Sequence, residues 1–86
     1  MATQYSDTRE RILALERILQ KVKRMTLSHM VDELYSRYGI IAAKKVVERD
    51  IDALTIFMPI EEEESNGTVY YRLVSDEELK RRYEED

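Results

Sequence analysis

The sequence predicts one small domain, mainly α-helical, closed by a single β-hairpin. Three observations carry that expectation. Apolar residues recur at three- and four-residue spacing in three successive segments between Asp7 and Leu54. An Asn66-Gly67 pair divides two β-compatible runs after Pro59. A chain of 86 residues with only two Gly and one Pro leaves little length for loops, so one core is all it can build.

The first helix is expected over 7–24. Asp7 followed three residues later by Glu10 is a helix start, and Ile12, Leu15, Leu19 and Val22 follow in steps of three, four and three. Leu13 and Ile18 widen that stripe, while Lys21, Lys23 and Arg24 suit the negative helix end. The second helix, 26–38, opens at Thr26, repeats Leu27, Met30, Val31, Leu34 and Tyr38, and stops at Gly39, which tolerates a left-handed backbone. The third, 42–55, sets Ala43, Val47, Ile51 and Leu54 against a charged face of Lys44, Lys45, Glu48, Arg49 and Asp52. Asp50 borders the buried sector, so it needs a basic group or a backbone donor.

The hairpin is expected over 58–74. A two-residue turn at Asn66-Gly67 places Ser65 opposite Thr68, Glu63 opposite Tyr70, Glu61 opposite Arg72 and Ile60 opposite Leu73. Ile60, Val69, Tyr71 and Leu73 then share the inner face, with Tyr71 packed and Tyr70 left as a surface contact. A capping box of Ser75 and Glu78 opens a helical tail, 75–86, in which Leu79 and Tyr83 lie four apart.

With no cysteine the chain has neither a disulfide framework nor a Cys-based zinc site, and a reducing cytoplasm is the expected location. The opening MATQYSDTRE lacks the basic start and apolar core of a signal peptide, and no apolar run reaches membrane-spanning length, so a soluble, untargeted chain is expected. The formal charge of −4 hides an asymmetry: residues 1–58 carry ten Lys and Arg against eight Asp and Glu, and residues 59–86 carry four against ten. An anion-binding surface therefore belongs to the first two-thirds.

Helix, helix, short turn, helix, two-stranded hairpin and helical tail is the order of a winged helix-turn-helix, with a three-helix core, a two-stranded wing and a short C-terminal helix. Leu13 through Leu73 resemble the N-terminal winged-helix module of WYL-type and DeoR-type bacterial transcriptional regulators. The matching residues are Met25-Thr26-Leu27, Asp32-Glu33-Leu34, Tyr38-Gly39, the run Val47-Glu48-Arg49-Asp50-Ile51-Asp52-Ala53-Leu54, Pro59-Ile60-Glu61 and Tyr71-Arg72-Leu73. Within them V-x-R-D-I-x-x-L is the most specific string. The chain departs from the family pattern in three places. Its Gly39–Val47 segment is about two residues longer, Ile40-Ile41-Ala42-Ala43 replaces the polar cap of the recognition helix, and Glu61-Glu62-Glu63-Glu64 fills the first wing strand.

The resemblance implies a sequence-specific DNA-binding regulator, bacterial or phage, that inserts its third helix into the major groove, with a homodimer expected to pair through the first helix and the Leu79/Tyr83 tail. Lys44, Lys45 and Arg49 would meet phosphates or guanine edges, and Glu48 could accept from cytosine. Thr26, Ser28 and His29 would offer donors at a positive helix end. The plainer reading of the same residues is a solvated face with ordinary pairs such as Lys44 with Glu48, and a Thr26 cap. The alternative function is an acidic protein-binding module or inhibitor that presents Glu61, Glu62, Glu63 and Glu64 to a basic partner and does not bind DNA, since those carboxylates repel phosphates within a Debye length of about 8 Å. They could also serve only to keep a strand edge soluble. His29, Asp32 and Glu33 lack the ligand set of a zinc site, and no nucleophile motif or phosphate-cradling glycine loop is present, so no metal, cofactor or enzymatic activity is expected.

Overall fold

The helix starts follow from single side chains. In a computed structural model, which describes residues 7–84, the Asp7 carboxylate accepts the Glu10 N–H at 2.9 Å and opens α1 (Thr8–Lys21). The Thr26 hydroxyl accepts the His29 N–H at 3.1 Å and opens α2 (Leu27–Tyr38). Gly39, at φ 67°, ends α2 in the left-handed conformation expected of it. α3 (Lys44–Leu54) is different: Ala43 is its N-cap residue and supplies no side-chain bond. The strands β1 (Ile60–Ser65) and β2 (Thr68–Leu73) pair antiparallel in the expected register, Ile60 opposite Leu73 through Ser65 opposite Thr68. Asn66 (φ 53°) and Gly67 (φ 80°) form the turn between them, both in the region that Asn-Gly pairs favour. α4 (Asp76–Glu84) follows, with the Ser75 hydroxyl accepting the Glu78 N–H at 3.1 Å.

Two helices differ in their bounds from expectation. α1 stops at Lys21, short of 24, because Met25 exchanges both backbone hydrogen bonds with Tyr71 at 2.9 and 2.8 Å and the approach to that bridge is extended from Val22. α3 occupies only the inner part of 42–55: Ala43 precedes it, and past Leu54 the Phe57 and Met58 N–H groups fold back onto the Leu54 carbonyl. The first six residues and the last two, including the end of the expected tail, lie outside the described residues.

α1, α2 and α3 pack pairwise around one core, and β2 closes it against α1. Its centre is Leu15, Leu19, Met25, Met30, Leu34, Val47 and Ile51, with Ile18, Leu54 and Tyr71 around them. Leu13 and Val69 were expected in this core and stand outside it, 55% and 41% exposed. Leu13 projects from the side of α1 opposite Leu15, Ile18 and Leu19, and Val69 sits one pair from the hairpin turn, past the helices' reach. Ala43, expected on the apolar face of α3, is exposed as well.

One charge is buried in this core. Asp50 is 3% exposed and receives the Arg11 guanidinium from α1 at 2.7 Å through Nε, with a second bond at 3.4 Å. The bond to Asp50 raises the Arg11 pKa. Among the described residues no helix is long and apolar enough to cross a membrane.

Removing one partner of such a pair leaves the other charge buried alone, so Asp50→Ala is expected to lose about 3 kcal/mol in urea unfolding, while Arg11→Met/Asp50→Leu together recover most of the loss. Equal stability of Asp50→Ala and wild type would show the pair to be incidental.

Candidate nucleic-acid interface

The Arg11–Asp50 pair and the buried stripe of Val47, Ile51 and Leu54 fix which side of α3 faces out. Lys44, Lys45, Glu48, Arg49 and Asp52 are all exposed, as their spacing required. They form two ridges. Lys44, Glu48 and Asp52 follow one another at four-residue steps, and Lys45 and Arg49 form the neighbouring row. The Tyr71 hydroxyl locates the ridges relative to the hairpin. Burial pushes its pKa up to about 12, helped by a hydrogen bond with Glu62 and by the nearby charges of Glu62, Glu48 and Asp52. The Glu48/Asp52 ridge therefore lies nearer the hairpin, and the helical period sets Lys45 and Arg49 further round on the outward face of α3.

At the head of α3 the first backbone N–H groups have no capping side chain, and Lys44 and Lys45 stand at that same end. Helix dipole and side-chain charge add there, an arrangement that attracts anions. Among the described residues none forms an ion pair with Lys44, Lys45 or Arg49. The pair of Lys44 with Glu48, the plainer reading of this face, is not formed. At the start of α2 the Thr26 hydroxyl is occupied by its cap, while Ser28 and His29 are exposed. Among the described residues no hydrogen bond or ion pair joins this group to the α3 face.

The four wing glutamates split by strand alternation. Glu61 and Glu63 face away from Tyr71 and are neutralised within the molecule. Arg72 meets Glu61 at 3.1 Å and Glu78 at 2.8 Å, Arg82 meets Glu61 at 2.6 Å and Glu78 at 3.0 Å, and Arg24 meets Glu63 at 3.0 Å. Arg24 also lies over the Tyr70 ring, 4.0 Å from its centre, so Tyr70 is covered rather than left open. Glu62 and Glu64 lie on the Tyr71 face, both exposed, and neither has a cationic partner among the described residues. The expectation of four glutamates offered together is corrected: two are already engaged.

The Arg72 bond in particular, with Arg82 alongside, holds the Glu78 carboxyl at about 2, and Arg82 foremost lowers that of Glu61. Glu78 thus does not complete the reciprocal half of its capping box but turns to the hairpin. Of these contacts only the Glu61–Arg72 pairing was readable, from the hairpin register. Arg24 and Glu63 are 39 positions apart and carried no signal of their meeting. Among the described residues no cluster of His, Asp and Glu could hold a metal ion.

Comparison of the chain with models of known families, with characterised proteins and with solved structures found no match.

The Glu78 carboxylate is ionised more readily in the folded chain than its ordinary value of 4.5 allows, so its contribution to holding α4 is complete above about pH 4.5 and is lost as pH falls through about 2. Hydrogen exchange of α4 amides should stay protected at pH 4 in wild type and speed up at pH 7 in Glu78→Ala. Unchanged α4 protection in that variant would show that the arginine network does not hold the helix.

Proposed function

We propose that this chain is a winged helix-turn-helix DNA-binding domain of the kind found in WYL-type and DeoR-type transcriptional regulators, with α3 as the helix that enters the major groove. One observation carries the reading: α3 is anchored through Asp50 on its inner side, and its uncapped head presents Lys44 and Lys45, with Arg49 one turn on, free of internal ion pairs with described residues. The short bridge at Met25 supports it as well, since it adds a third extended segment to the hairpin between the first and second helices. That makes the order helix, one-residue bridge, helix, helix, strand, strand.

The charge layout gives the mode of contact. Glu62, Glu48 and Asp52 crowd the flank between α3 and the hairpin, so phosphates approach from the Lys45/Arg49 flank and the head of α3. Ser28 and His29 at the positive end of α2 supply a further backbone contact. The wing does not grip DNA; it braces the helical core through Tyr71. The acidic protein-binding reading is the weaker one, because Arg24, Arg72 and Arg82 already occupy Glu61 and Glu63.

Fluorescence anisotropy with duplex DNA tests this directly. Wild type should bind with a steep salt dependence, and replacing Lys44, Lys45 and Arg49 by Ala should weaken binding at least about a hundredfold and flatten the log–log salt slope by about 3 if each meets a phosphate. Binding by the triple variant equal to wild type would remove α3 as the reading helix.

A further inference from the structure

A groove of about 340 Å³ runs along the outer side of α1, lined by Glu10, Leu13, Ala14 and Arg17 and by Tyr38 and Ile40 from the end of α2 and the turn beyond. Its rim holds apolar side chains that a lone domain gains nothing by exposing: Leu13 is 55% exposed and Tyr38 37%. At 100° per residue, Leu13, Glu10 and Arg17 fall within one sector of about 60° on α1. An acid and a base thus flank an apolar centre, three residues before it and four residues after it.

From this layout we infer that a second copy of this chain fills the groove, with the two α1 helices antiparallel about a two-fold axis passing between Leu13 and Ala14. The charges select that geometry. Antiparallel pairing about this point places Glu10 of each copy against Arg17 of the other, twice, with Leu13 against Ala14 between them. Shifting the register by one residue, with the axis on Leu13, sets Glu10 against Glu16 and Arg9 against Arg17, and a parallel arrangement sets Glu10 against Glu10. Both alternatives join like charges. Glu10 and Arg17 are open to this role, since neither forms an ion pair with a described residue. A contact of this kind is isologous, so it closes at two copies.

A contact built on one helix face and the turn after α2 is expected to be weak, with assembly in about the micromolar to hundred-micromolar range. This inference gives the expected pairing through the first helix a definite axis and charge pattern, and it does not depend on DNA binding. The Leu79/Tyr83 tail is not required for it.

Sedimentation equilibrium from about 5 µM to 1 mM, without DNA, decides the matter, with circular dichroism confirming that each variant is folded. Wild type should shift from monomer to dimer across that range. Leu13→Glu should weaken the dimer at least about tenfold, as should Glu10→Arg alone, and Glu10→Arg/Arg17→Glu should return to within about threefold of wild type. Phe57→Ser, at an exposed apolar residue away from the groove, should leave it unchanged. A wild type that stays monomeric throughout, a Leu13→Glu variant that pairs as well as wild type, or a double swap no better than the single one would each overturn the inference. None of these outcomes touches the α3 reading, which the anisotropy experiment decides separately.

Discussion

Arg11 and Asp50 meet inside the helical core, and the orientation of α3 depends on that meeting. A carboxylate left alone among Leu15, Ile51 and their neighbours would cost several kcal/mol, so the chain folds in a way that brings α1 and α3 together at one register. Hydrophobic side chains alone tolerate sliding and rotation, because apolar contacts are non-directional. A guanidinium bonded to a carboxylate does not. Once Asp50 points at α1, the helical period sends Lys45 and Arg49 outward and turns Glu48 and Asp52 toward the hairpin.

Every other feature of the proposed surface follows from where the remaining charges are consumed. The chain is acidic overall, yet its acids are not uniformly available. Arg24, Arg72 and Arg82 take up Glu61 and Glu63 on the outer side of the hairpin, and α4 is held there by the same arginines through Glu78. Exposed ion pairs of this sort add little stability singly, but as a shared network they fix position. The hairpin is thereby committed to bracing the core through Tyr71 and Met25. What it leaves unscreened, Glu62 and Glu64, would in the proposed function confine an approaching phosphate to the outward face of α3.

Much of this was legible in the residues, and the reason is locality. Asp7, Thr26, Gly39, Ser75 and the Asn66-Gly67 turn act within four positions of themselves, so their signals survive without tertiary knowledge. The hairpin register followed from the turn length for the same reason. The exposed face of α3 followed from the helical period alone. What could not be read was non-local. The Met25–Tyr71 bridge, which shortens α1, joins segments 46 positions apart, and Arg11–Asp50 and Arg24–Glu63 each span 39. Leu13 was misplaced for a related cause: adjacent to the apolar stripe in sequence, it lies on the opposite side of the helix, where periodicity points outward and composition points inward. That conflict is itself the feature that marks the groove on α1.

The head of α3, not the hairpin, is the surface we propose to meet DNA. The most direct test is an amide NMR map of the chain titrated with a duplex of mixed sequence at low salt. The account expects the largest shift changes in residues 43–49 with smaller ones at Ser28 and His29, and little change along β1. Shift changes centred on Glu62 and Glu64, or none anywhere at saturating duplex, would contradict it.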